Sequence, residues 1–309
     1  MMNYLPDFYH PAKVGTLYIP DTPGVIEAGR RAGLPPADED EHRIILLLVD
    51  PQVDFIHTDG SLSVPGAVQD TCRTIEWLLN HSGEITTIAT SMDSHIPTQI
   101  FYPPWWVNEA GQHPDPFTPI TSQDVNAGYW KPVFEAQWSL RYVNTLETQA
   151  KKELMIWPYH TMLGTPGHAI TPALYEAIVY HSSARQSRPL FLTKGMIPKT
   201  EHYSLLEPEV KVPGEPQGEL NVPFLEMLAS YDEVYIAGQA KSHCVLETVT
   251  SVVRYFNSQP EQLTKWHILS DCMSSVAHPE IDFDAMADRM FALYAERGLQ
   301  LLRSTDPIA

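Results

Sequence analysis

The sequence predicts a three-layer α/β/α fold on a mostly parallel six-stranded sheet, and three observations predict it. Residues 44–49 read IILLLV, a continuous apolar run that stops at Asp50. Such a run suits a strand covered on both faces. After it, short apolar runs alternate with segments of helical spacing, the rhythm of parallel strands joined by right-handed crossovers. Residues able to do chemistry stand where those runs end, and open α/β sheets bind ligands at the carboxyl ends of their strands.

The elements follow in order. Residues 1–42 are rich in Pro, Gly and charge and end in ADEDEH. They read as an extended arm whose Tyr4, Phe8, Tyr9 and Leu17 could dock on the body. Residues 43–309 carry the core. The first strand is 44–49, and residues 66–82 follow with Val68, Ile75, Leu78 and Leu79 at helical spacing. Strands are expected at 85–90, 189–193 (PLFLT), 233–237 (EVYIA), around 267–269 and at 299–302. A helix over 243–257 places Val245, Val249, Val252, Val253 and Phe256 on one stripe, and 280–297 is an amphipathic helix. Residues 96–152 break the rhythm with FYPPWW, HPDPF and GYWKP. An insertion of that length is uncommon unless it is functional, and it is expected to form a lid over the site, a subunit contact or a wall that reshapes the substrate pocket.

Composition narrows the function. The chain has 309 residues, with 20 Lys plus Arg against 38 Asp plus Glu, a net charge of −18. That charge repels phosphate backbones and anionic lipid, which excludes nucleic acid and a membrane surface as partners. No apolar run approaches the roughly 18 residues of a membrane span, and no secretory leader is visible. The three cysteines, Cys72, Cys244 and Cys272, are too few and scattered for a disulfide framework, so a cytoplasmic location is expected. Cys72 and Cys272 read as structural.

Four strand ends deliver chemistry. Asp50 ends the first within VDPQVDF, and Asp93 and His95 end the second within SMDSHIP. Lys194 ends the third within LTKG, and Cys244 stands at a helix start within GQAKSHC. A thiol at a helix N-terminus beside an ammonium favours thiolate, and Asp50 could shuttle its proton, a plausible nucleophilic triad. Asp93 and His95, two apart, point to one side and could hold a divalent metal with a third ligand, His160 of WPYH or, less readily, His113.

These residues carry a resemblance. VDPQVDF, then GSLSVPGA, DSH, WPYHTMLGTPG, LTKG and AGQAKSHCV resemble, in order and spacing over about residues 44–303, the nicotinamidase branch of the isochorismatase-like cysteine hydrolases. The resemblance implies that 43–309 is a hydrolase domain with Asp50, Lys194 and Cys244 as its catalytic triad. It implies metal ligation by Asp93, His95 and His160, with zinc first and iron or manganese as alternatives. Phe55, Trp157 and Tyr203 would bind the pyridine. The backbone N–H groups of Ala240 and Cys244 would form the oxyanion hole, with a cis bond at Gln239–Ala240. Thr161, His168 and Ser242 depart from residues common in the family without removing a catalytic atom.

The activity implied is deamidation of nicotinamide to nicotinic acid and ammonia through a cysteine thioester. The alternatives are another small amide or a carbamoyl or ureido compound as substrate, or a non-catalytic metal-binding module. A homo-oligomer is expected, with Trp105, Trp106 and Trp130 as exposed contact residues.

Overall fold

A computed structural model of the chain describes residues 5–150 and 152–308. Six strands form the central sheet: β1 (Ile44–Val49), β2 (Ile85–Asp93), β3 (Leu190–Lys194), β4 (Glu233–Gly238), β5 (Trp266–Leu269) and β6 (Gln300–Leu302). Their order is β6-β5-β4-β1-β2-β3, and every pairing is parallel. The longer helices are α1 (Thr22–Arg31), α2 (Ala67–Asn80), α3 (Ala136–Thr145), α4 (Pro172–Ala184), α5 (Val222–Ala229), α6 (Leu246–Tyr255) and α7 (Phe283–Ala295).

The alternation of side chains along β1 builds both cores. Ile45, Leu47 and Val49 face α5, α6 and α7, packing with Leu225, Val249, Val252 and Phe291. Ile44, Leu46 and Leu48 face the other way, against Ile75 and Leu78 of α2 and Ala173 and Ala177 of α4. A strand buried on both faces needs no polar side, and that is why it reads as an unbroken apolar run.

The N-terminal segment differs from the expected extended arm. It contains α1, which packs on α4: Tyr18 donates to Glu176 (2.6 Å) and Ser183 donates to the Ile26 carbonyl (2.8 Å). Tyr9 is buried and Phe8 rests against Tyr180, but Leu17 is exposed, and Tyr4 lies outside the described residues.

The 96–152 insertion packs a cluster in which Ile100, Phe101, Tyr102, Ile120 and Tyr142 are buried together with Leu154, Ile156 and Val210 beyond it. Trp105, Trp106 and Trp130 belong to that cluster at 2%, 0% and 7% exposure, so they are not the exposed contact residues expected. Their rings fill the interior of the insertion, and the Trp105 and Trp106 indoles donate to Ser139 and to the Ile100 carbonyl. Among the described residues no helix is long and apolar enough to cross a membrane.

Candidate active site

The carboxyl ends of four adjacent strands converge. Asp50 follows β1, Asp93 ends β2 with His95 just beyond, Lys194 ends β3, and β4 runs through Gln239 and Ala240 to Cys244. The expected cis bond at Gln239–Ala240 is present. Residues 241–245 form a widened turn that leads into α6, so the regular helix starts three residues after the position the sequence indicated.

Lys194 is the hub. Its ammonium lies 3.0 Å from Asp50 Oδ2 and 2.9 Å from Asp93 Oδ1. It donates to the His202 carbonyl at 2.8 Å and stands 3.7 Å from Cys244 Sγ. Burial of Lys194 favours the neutral amine, but Asp50 and Asp93 outweigh it and hold the ammonium charged well above the ordinary range.

Asp50 is fully buried. Its Oδ1 accepts from Ser91 Oγ (2.6 Å), and its backbone N–H donates to the same hydroxyl (3.0 Å). Its Oδ2 is within ion-pair distance of Lys194 but off the hydrogen-bond axis, which leaves that oxygen a lone pair for another proton. Burial pushes the Asp50 carboxyl up, Lys194 pulls it back and Asp93 pushes it up again. Burial also pushes the Cys244 thiol well above its usual range, against the pull of Lys194. Desolvation thus opposes the helix terminus and the cation that favour the thiolate, which gives Asp50 a proton to take.

Asp93, His95 and His160 form the second cluster, with one ligand atom from each within 4.8 Å of the others. His113 is elsewhere, its Nδ1 on the Trp106 carbonyl at 2.7 Å. The Nδ1 atoms of His95 and His160 face the carbonyls of Gly195 (3.3 Å) and Pro158 (2.8 Å). With a proton on Nδ1, each Nε2 presents a lone pair. Those Nε2 atoms stand 2.8 and 3.7 Å from Asp93 Oδ2, and a proton on His95 Nε2 would instead donate to that oxygen. Two imidazoles with one carboxylate suit a divalent metal. Gly195 makes the approach possible: a Cβ there would lie 2.6 Å from Asp93 Oδ1, and its φ is +85°.

A pocket of about 450 Å³ opens over both clusters. Cys244, Asp93, His95, His160 and Ala240 line it with the aromatic walls Phe55, Phe101, Trp157 and Tyr203. The insertion thus contributes Phe101 to the wall. The sequence reading missed four supporting residues. Ser91 holds Asp50, and its signal was its place two residues before Asp93 on the same strand face. Gln52 accepts from the Asp93 N–H (2.7 Å) and donates to the Asp93 carbonyl (2.8 Å), a buried amide just beyond the end of β1. Glu201 accepts from Trp157 Nε1 at 2.9 Å and from the Tyr203 hydroxyl, fixing both rings. His202 also lines the pocket.

Comparison with solved structures places this architecture. A nicotinamidase/pyrazinamidase of Acinetobacter baumanii superposes with a TM-score of 0.56 at 16% identity, covering 87% of this chain and 99% of that one. The yeast nicotinamidase bound to the inhibitor nicotinaldehyde gives 0.57 at 17%, covering 84% and 99%. The chain has the nicotinamidase fold. The L. infantum PnC1 protein in complex with nicotinate shares the nicotinamidase fold at a TM-score of 0.51 and 16% identity, over 86% of this chain and 95% of that one. No protein-family model matches the sequence, and no curated protein matches it.

Proposed function

We propose that this chain is a metal-dependent cysteine amidase that converts nicotinamide to nicotinic acid and ammonia. One observation carries the reading: the Lys194 ammonium joins an Asp50/Cys244 pair to an Asp93-His95-His160 cluster beneath one aromatic pocket. The nicotinaldehyde and nicotinate held by two structures of the same fold support a pyridine-3-carbonyl ligand.

Asp50 Oδ2 takes the Cys244 proton, and Lys194 offsets the charge that develops. The thiolate attacks the amide carbon while Phe55, Trp157 and Tyr203 hold the ring. The oxyanion meets the N–H groups of Ala240 and Cys244, an effect worth roughly 3 kcal/mol per donor. Collapse breaks the C–N bond, and Asp50 returns its proton to the leaving nitrogen, releasing ammonia and leaving a thioester. Asp50 then takes a proton from water, hydroxide adds to the thioester, and the acid leaves as Cys244 regains its proton. Asp93, His95 and His160 would hold a divalent ion, zinc in this reading, which supplies a Lewis-acid anchor for a ring nitrogen.

The test is ammonia release from nicotinamide by the metal-loaded protein, beside Cys244→Ala and a chelated sample. Release that disappears in both controls is expected. A folded, metal-loaded protein that releases no ammonia overturns the assignment.

A further inference from the structure

β4 leaves the sheet at Gly238, its last residue paired with β1. The Gln239 N–H still donates to the Val49 carbonyl at 2.8 Å, and from there the chain runs outside the sheet. Ala240 comes next. It is buried, it lines the pocket, and its N–H donates to no group among the described residues. What holds Ala240 lies on both sides of it. The buried Gln239 amide donates from Nε2 to Asp70 Oδ2 at 3.0 Å and accepts at Oε1 from the Ser274 N–H at 3.2 Å. The Lys241 N–H donates to the Ser274 carbonyl at 2.8 Å.

Asp70 is itself clamped. It is buried on α2, and Arg73, one turn further on, donates to its Oδ1 at 2.6 Å and from Nε to the Asp271 carbonyl. The residues flanking Ala240 are thus tied to one anchor built from α2 and the segment that follows β5. A buried carboxylate and a buried amide are a costly way to fill space that apolar side chains could fill. Once satisfied, such a network fixes a single arrangement of the chain it holds. Neither Asp70 nor Gln239 lines the pocket, so what the pair can give the site is the placement of Ala240.

We propose that Asp70 is a positioning residue for the reaction: acting through Gln239, it holds the Ala240 N–H where the oxyanion forms. This inference rests on the amidase reading, which gives that N–H its role. A donor fixed in advance need not reorganise as charge develops on the oxygen. Loosening it should therefore slow the chemical step and leave ground-state binding unchanged.

The experiment measures kcat and KM for nicotinamide, and the affinities of nicotinate and nicotinaldehyde, in metal-loaded wild type, Asp70→Ala and Asp70→Asn. The Cys244 sulfur bonds to the aldehyde carbon, the C=O π pair moves to the oxygen and the thiol proton ends there, so that oxygen takes the oxyanion position. Nicotinate forms no such bond. Asp70→Ala should lower kcat by about tenfold or more with KM within about twofold of wild type. It should weaken nicotinaldehyde by a similar factor and leave nicotinate unchanged. Asp70→Asn, which keeps an acceptor oxygen for Gln239 Nε2, should retain part of both. If Asp70→Ala does not fold, Gln239→Leu cuts the same tether and should give the same pattern. Equal losses of aldehyde and acid affinity, or an unchanged kcat in a folded variant, overturn the inference. If wild type releases no ammonia from any amide, the amidase reading fails. Hydrogen exchange of the peptide carrying Ala240 then decides the tether on its own, and exchange as slow in Asp70→Ala as in wild type overturns it.

Discussion

The Lys194 ammonium stands 2.9 Å from Asp93 Oδ1 while also facing Asp50 and Cys244, so one cation belongs to two clusters. The register explains the meeting. Asp93 and Lys194 are paired residues at the parallel ends of β2 and β3. Burial favours protonation of the Asp93 carboxyl, but His95 and Lys194 outweigh it and hold the carboxyl well below the usual range. The metal-type cluster and the nucleophile are therefore coupled electrostatically.

Lys194→Met should disable both clusters. It leaves Asp50 and Asp93 buried without their shared counter-charge, and breaking a buried pair on one side typically costs about 3–5 kcal/mol. Thermal unfolding should record that loss, and ammonia release should fall by about a thousandfold or more. A variant as stable and active as wild type would show that the hub is dispensable.

Gly167→Ala should act on the second cluster from outside it. A Cβ at Gly167 would lie 2.1 Å from Asp54 Oδ2, the oxygen that accepts from the Thr161 N–H at 2.7 Å. Thr161 follows His160 directly and has φ +46°, so Asp54 holds the loop that carries a metal-type ligand. Displacing Asp54 should cost about 1–3 kcal/mol, as overpacking does, and weaken metal retention in equilibrium dialysis. Asp54→Asn should reproduce the weakened retention with a smaller loss of stability.

Part of this site is legible in the sequence. Asp50 could be placed because a buried parallel strand announces its end by the first polar residue after an apolar run; β2 and β3 carry Thr or Ser within them, and Asp93 and Lys194 were legible as the charged residues at their ends. Other parts left no such mark. α4 buries Ala173, Leu174, Glu176, Ala177, Ile178 and His181, with α1 outside it and the sheet beneath, so it lacks the one-sided stripe that identifies a surface helix. The tryptophans of the insertion are interior because that segment packs a cluster with Leu154, Ile156 and Val210, which composition alone does not reveal. Burial of Cys244 pushes its thiol up, against the helix-terminus argument, and burial is a property of the assembled site.

Metal content should follow the second cluster. The purified protein should hold one divalent ion per chain, and His95→Ala or His160→Ala should lower that stoichiometry severalfold. Chelation should abolish ammonia release and added zinc should restore it. Full activity after metal is shown to be absent would remove the cluster from the mechanism.

Glu201 sets a pH dependence that stability measurements can read. Burial pushes its carboxyl from 4.5 up to about 7, against the hydrogen bonds from Tyr203 and Trp157 and the charge of Lys152, with Glu209 pushing it further up. The folded state therefore binds a proton that the unfolded state releases between those two values. Stability contributed by this group is present below the unfolded value and is lost as pH rises through about 7, by up to roughly 3 kcal/mol. Glu201→Gln keeps an acceptor for Trp157 and Tyr203 but cannot ionise. Its unfolding free energy should fall less than that of wild type between pH 4.5 and 7. Parallel pH profiles for the two proteins would mean that the Glu201 carboxyl titrates in its ordinary range and that burial does not control it.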